Sequence, residues 1–131
     1  MKNKACRMIA VIVLVLQLYA VCIVLENKAI AMNVPKQDIK VTFIELGSVG
    51  CIPCRMMQPI MSDIGKEYKN AVKVVFYDVR TSDGKPYAEK YKVNMIPTQV
   101  FLDKKGSEYY RHVGYFSKNE LVKILRLKGV K

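Results

Sequence analysis

The chain has no tryptophan, a single histidine and only four cysteines in 131 residues, and two of those cysteines, Cys6 and Cys22, fall within the first 22 positions. The other two, Cys51 and Cys54, fall short of the four ligands of a structural zinc site even with His112 added. No resident metal is therefore expected. Two thiols also cannot build a framework of structural disulfides. Acids are scarce as well, since 11 Asp and Glu face 22 Lys and Arg, for a formal net charge of +11. The basic residues are scattered from Lys36 to Lys131 without a dense run. That pattern reads as a solvated basic surface with no nucleic-acid interface, and attraction to acidic partners or anionic head groups is the weaker reading. Repeats and low-complexity segments are absent. Half of the residues are hydrophobic, enough for one domain core plus a leader.

The leader is read from its charge pattern. Lys2, Lys4 and Arg7 precede an uncharged run from Met8 to Leu25 in which Gln17 is the clearly polar member. Glu26-Asn27-Lys28 ends that run, and Ala29-Ile30-Ala31 supplies the small-x-small step that a signal peptidase accepts. Residues 1–31 are expected to be a signal peptide, with 32–131 as the folded domain. The run also approaches the roughly 20 residues that span a bilayer, so an uncleaved membrane anchor over 8–25 is the alternative. Either outcome places the domain outside the cytoplasm, periplasmic or secreted. Tyr19-Ala20-Val21 before Cys22 is a poor lipidation signal. Removing 1–31 leaves 18 basic against 10 acidic residues, and the exported part then holds Cys51 and Cys54 as its cysteines.

Those two cysteines are the centre of the reading. Cys51-Ile52-Pro53-Cys54 is followed by Pro59 and, some forty residues on, by Ile96-Pro97-Thr98. Thiols separated by two residues can close a small disulfide ring, and at the start of a helix the unpaired N–H groups and the helix dipole favour a thiolate. Pro53 suits a first helical turn, where its missing N–H is no loss. Neither Ile52 nor Pro53 can stabilise a thiolate through its side chain, which argues against a strong oxidant. The Ile96–Pro97 bond is a candidate cis peptide.

The segments C-I-P-C-R-M-M-Q-P-I and Y-K-V-N-M-I-P-T-Q-V-F-L resemble the thioredoxin family, over roughly Val41 to Leu127. The resemblance implies a thioredoxin-like α/β fold, a central mixed β-sheet flanked by helices, here with the N-terminal β-α unit shortened or absent. It implies Cys51 as attacking thiolate and Cys54 as resolving thiol, with the redox-active pair itself in place of any cofactor. Glu45, six positions before Cys51, corresponds to the family's buried carboxylate and is expected to relay a proton to or from Cys54, although Phe76 stands where a lysine near that acid is usual. Pro97 is expected to cover the dithiol. Gly50, Ile52, Pro53, Ile96, Thr98 and Gly114 are expected to form the substrate-facing surface. Ile96 offers its backbone to an extended client, and Gly114 follows the last strand. Gly50 replaces the family's usual tryptophan.

Periodicity supplies the elements. Val41–Leu46 reads as a buried strand, followed by a helix to about Asn70 with Met56, Met57, Ile60, Met61, Ile64 and Tyr68 on its apolar face and a kink expected at Pro59. A strand over Ala71–Val79 and a short helix over Pro86–Lys92 come next, then strands at Thr98–Asp103 and Glu108–Val113 joined by a hairpin. Ser117 and Glu120 form a capping box for a last helix that points Leu121, Ile124 and Leu125 inward.

The expected function is an extracytoplasmic reductase of protein disulfides, acting as a monomer on disulfide-containing exported proteins. Its electrons are expected from a membrane thiol–disulfide reductase. A protein disulfide oxidant or isomerase is the alternative. A Cu(I)-handling protein, with Cys51 and Cys54 as soft ligands and Met56, Met57 or Met61 as thioether donors, is the third reading.

Overall fold

The computed structural model describes residues 11–22 and 37–131. The chain divides into two units, Met1–Lys36 and Gln37–Lys131. In the first, residues 11–22 form helix α1, whose apolar side chains from Val11 to Val21 are exposed. Among the described residues no helix is long and apolar enough to cross a membrane. The basic residues Lys2, Lys4 and Arg7, the Ala29-Ile30-Ala31 step and the stretch around Pro35 lie outside the described residues.

The second unit runs β1 (Val41–Gly47), α2 (Ile52–Glu67), β2 (Val72–Asp78), α3 (Lys85–Lys90), β3 (Thr98–Asp103), β4 (Glu108–Val113) and α4 (Lys118–Arg126). This is the expected β-α-β-α-β-β-α order. One sheet of four strands has the order β2-β1-β3-β4. β1 pairs parallel to β2 and antiparallel to β3, and β3 pairs antiparallel to β4. The fold is thioredoxin-like.

Strand β1 sits in the middle and is buried on both faces, so alternate residues feed two different cores. Val41 and Phe43 join Met57, Ile64, Leu121 and Leu125 beneath α2 and α4. Ile44 and Leu46 join Val100 on the opposite face, against Tyr87 and Tyr91 of the α3 segment. By the same alternation Glu45 and Gln99 lie on the α2 face, in line with Phe43 and Phe101. The ring of Phe101 is stacked on Phe43 at 5.0 Å and meets Tyr109, Tyr110 and Phe116 edge-on. It is the hub of the larger core.

Three expectations are corrected in detail. α2 ends at Glu67 rather than near Asn70, because the Tyr68 N–H donates to Ile64 and the Tyr68 carbonyl then takes the N–H groups of Ala71 and Val72. α3 ends at Lys90, and Lys92 beyond it turns to φ +50°, which no helix tolerates. Met56 is not on the apolar face of α2, being 51% exposed, while Met57 and Met61 are buried. Ile124 is half-buried and packs against the core beside Leu121 and Leu125, as the periodicity of α4 predicts. The helix is continuous through Pro59, whose missing N–H leaves the Arg55 carbonyl without its usual donor. At α4 the Ser117 hydroxyl accepts from the Glu120 N–H at 3.4 Å and donates to the Glu120 carboxylate at 2.6 Å, a variant of the reciprocal box.

Because Phe101 is fully buried and touches four rings, Phe101→Ala is expected to lower unfolding free energy by about 3–5 kcal/mol. Urea denaturation followed by circular dichroism checks this, and a loss under about 1 kcal/mol contradicts the packing described.

Candidate active site

The C-terminal end of β1 delivers the chain to the site. After Gly47 it turns through Ser48-Val49-Gly50, and Cys51 then becomes the N-cap of α2. Three bonds fix this turn: the Cys51 N–H donates to the Ser48 carbonyl at 3.1 Å, the Gly50 N–H to Ser48 Oγ at 3.4 Å, and the Val49 N–H to Asp78 Oδ2 at 3.2 Å. Asp78 closes β2, and the N–H donors of Arg80 and Val49 hold its carboxyl below the ordinary carboxylate range. Asp78 and Ser48 carry no motif in the sequence. Their role comes from β2 ending beside β1, which only the sheet order reveals.

Cys51 is partly exposed and Cys54 is 1% exposed, and both are free thiols. The Cys54 N–H donates to Cys51 Sγ at 3.4 Å, the capping interaction that a serine oxygen makes at other helix starts. Pro53 occupies the first turn, and Ile52 projects outward at 66% exposure. Cys54 faces inward against Gly47. A Cβ at Gly47 would stand 3.2 Å from both Cβ and Sγ of Cys54 and 3.4 Å from the Phe76 ring, so glycine there lets the helix seat its second thiol on the strand. Burial pushes the Cys54 thiol up to about 12, helped by its hydrogen bond with Cys51 and the negative charges of Cys51 and Glu45, and partly offset by the Ser48 backbone.

Glu45 is fully buried, one strand alternation below Gly47. Burial raises its carboxyl from 4.5 to about 8, opposed by a hydrogen bond from Gln99. Phe76 stands opposite Glu45 in the parallel ladder, offering a ring rather than a cation. Gln99 Nε2 donates to Glu45 Oε2 at 3.0 Å and to the Gly114 carbonyl at 3.1 Å. Gln99 escaped the sequence reading because a glutamine inside a strand signals nothing by itself.

The other expected residues form a second cluster. The Ile96–Pro97 peptide is cis, and Pro97 is buried. The Pro97 carbonyl accepts from the Gly114 N–H at 2.8 Å, and Gly114 reaches φ +97°, a conformation costly for residues with a Cβ. Thr98 Oγ1 donates to the Met95 carbonyl at 2.6 Å. Ile96 is half-buried, and its N–H and C=O have no partner among the described residues. Of the methionines weighed as metal donors, Met57 accepts the Phe116 N–H on its sulfur at 3.3 Å and Met61 is in the core.

A C-x-x-C dithiol on the first turn of a helix, emerging from a mixed sheet of this order, defines a thioredoxin-like domain of the thiol–disulfide oxidoreductase class. The comparisons agree. Residues 27–128 match the thioredoxin-like domain family. A thioredoxin from Rickettsia bellii is 33% identical over 96 residues, 73% of this chain and 88% of that protein. A thioredoxin H-type from Fagopyrum esculentum is 37% identical over 79 residues, 60% of this chain and 65% of that protein. Among solved structures, a mutant thioredoxin from Halobacterium salinarum shares the fold with a TM-score of 0.63 at 21% identity, covering 72% of this chain and 79% of that one. The chain belongs to the thioredoxin-like domain family.

Two outcomes follow from this geometry. With Cys54 buried and its thiol pushed to about 12, iodoacetamide is expected to label Cys51 first in the folded, reduced chain, and mass spectrometry of the peptides reads the order. Preferential labelling of Cys54 contradicts the arrangement. The second outcome concerns pH. Glu45 is raised to about 8 in the folded chain from an ordinary 4.5, so between those values the folded state keeps a proton that the unfolded state releases. Stability from this group is therefore complete below about 4.5, falls as pH rises, and levels off above about 8. The loss amounts to about 5 kcal/mol at most. Glu45→Gln is expected to remove this slope in urea melts taken from pH 5 to 9, and parallel profiles for the two chains contradict it.

Proposed function

We propose that this chain is an extracytoplasmic reductase of protein disulfides. The observation that carries the reading is the asymmetry of the two thiols: Cys51 at the partly exposed N-cap, and Cys54 buried behind it on the side of a buried carboxyl. Cys51 attacks one sulfur of a client disulfide as a thiolate, forming a mixed disulfide and releasing the client's other sulfur. Cys54 then gives its proton to ionised Glu45 and attacks the Cys51 sulfur. The Cys51–Cys54 bond forms, the bond from Cys51 to the client breaks, and the client's two sulfurs leave as thiolates that take up protons from solvent, with the proton held on Glu45 returned to solvent as the site resets. Two electrons have passed from the pair to the client, and no further cofactor is required.

Pro97 and Ile96 serve the docked client, with the N–H and C=O of Ile96, which have no partner among the described residues, available to an extended backbone. Val49, Ile52 and Met95, each at least 65% exposed, give an aliphatic rim, while Gly50 leaves space where Arg80 approaches within 3.8 Å of a would-be Cβ. Gly50, Pro53, Thr98 and Gly114 shape the backbone around this surface. The extracytoplasmic assignment rests on the basic start, apolar run and Ala29-Ile30-Ala31 step of residues 1–31, whether removed as a signal peptide or kept as an anchor. Clients are exported disulfide proteins, the electron donor is a membrane thiol–disulfide reductase, and the domain acts as a monomer.

Reduction of insulin by the full domain in the presence of dithiothreitol is expected to be lost on Cys51→Ser. Glu45→Gln is expected to slow resolution of the mixed disulfide by roughly 100-fold and to abolish a rise in rate across about pH 8, where Glu45 ionises. The couple is expected near the reducing end of the family scale, about −270 mV, and a value above about −180 mV favours the oxidant or isomerase reading instead. An undiminished rate in Cys51→Ser overturns the proposal.

A further inference from the structure

Gln99 is a fully buried polar side chain near the start of β3. Burying an amide is costly unless it is hydrogen-bonded, so its partners show what retains it. Its two N–H groups go to two different parts of the site: Glu45 Oε2 at 3.0 Å and the Gly114 carbonyl at 3.1 Å. Gly114 in turn donates its N–H to the Pro97 carbonyl at 2.8 Å. Cross-strand register places Glu45, Gln99 and His112 in one row over β1, β3 and β4.

We propose that Gln99 is a positioning residue that fixes which oxygen of Glu45 exchanges a proton with Cys54 and ties that carboxyl to the Pro97–Gly114 junction beside the docked client. The inference rests on the thiol–disulfide reading above. Glu45 Oε2 is engaged by the amide, whereas Oε1 is buried with no hydrogen-bond partner among the described residues. Oε1 is thus the oxygen left to take and return the proton. The amide donates to either protonation state, but more strongly to the carboxylate, and so opposes the burial that keeps Glu45 neutral. The titratable groups next to Glu45 in this arrangement are Cys54 from α2, whose thiol feels the Glu45 charge, and His112 at the β4 end of the row, whose Nε2 lies 3.1 Å from the Tyr115 carbonyl. On the other side of Gln99, a change in the Glu45 bond is felt by the same amide group that holds Gly114.

The test is a pH titration of the reduced full chain by NMR, reading the Glu45 side-chain carbon and the Gln99 side-chain amide protons. In the native chain both signals are expected to move with one midpoint. In Gln99→Met, which keeps length and volume without the donors, the Glu45 midpoint is expected to rise by roughly one pH unit, the size of one hydrogen bond to a charged group. The pH profile of mixed-disulfide resolution is expected to shift by the same amount. Gln99 amide protons that ignore the Glu45 titration in the native chain overturn the proposal, and that result needs no variant to fold. So does a folded Gln99→Met chain with an unmoved midpoint. A native chain that fails to reduce insulin while the two signals titrate together refutes the reductase reading instead, which separates the two failures.

Discussion

Two ionisable groups are buried against the same end of β1, and the working geometry of the domain follows from keeping them there. Glu45 cannot reach water from the middle of a strand covered on both faces, and Cys54 cannot leave the first turn of a helix pressed onto Gly47. Both are held in their neutral forms by the same cause, the loss of hydration. A site built this way spends folding stability on reactivity. The core of stacked rings around Phe101 offsets that cost, since it lies on the same face of the sheet and braces β1, β3 and β4 together.

The two thiols also differ in what their environment does over a reaction cycle. Burial raises the Cys54 thiol most, but two further contributions come from Cys51, through a hydrogen bond and through its charge. In the proposed cycle the charge is removed and the hydrogen bond weakened once the Cys51 sulfur is bonded to a client. On that reading, formation of the mixed disulfide makes Cys54 easier to deprotonate at the stage when its attack is needed, and the buried carboxyl is the group proposed to accept the proton.

Much of this was legible in the amino-acid sequence. The dithiol, Pro53 in the first turn, Pro97 and the order of the elements all depend on local pattern, and the structure has each element where pattern placed it, to within a few residues. Glu45 was visible because a lone acid in an apolar strand is conspicuous. Gln99 and Asp78 were not, because each acts through a neighbour distant in the chain: Gln99 stands 54 residues from Glu45, and Asp78 stands 29 from Val49. Ser48 acts locally on Gly50 and Cys51, and a serine in a turn signals nothing by itself. Met56 was misplaced because it lies off the stripe of Cys54, Met57, Met61 and Ile64 that α2 turns toward the core. The leader reading touches residues that lie largely outside the described part and rests on composition alone.

The alternation of β1 has one more consequence. Side chains change face at every residue, so pairing β1 one step out of register with β3 would carry Glu45 into the layer of Tyr87 and Tyr91. The cysteines, carried on a helix, would not follow it. Under the proposed mechanism, such a misassembled molecule would still capture a client through Cys51 yet lack the base assigned to its release, becoming a covalent trap. Strand alignment is thus the quality check on turnover, and the wide apolar surface of Phe43 and Phe101, stacked only in the native alignment, is what enforces it.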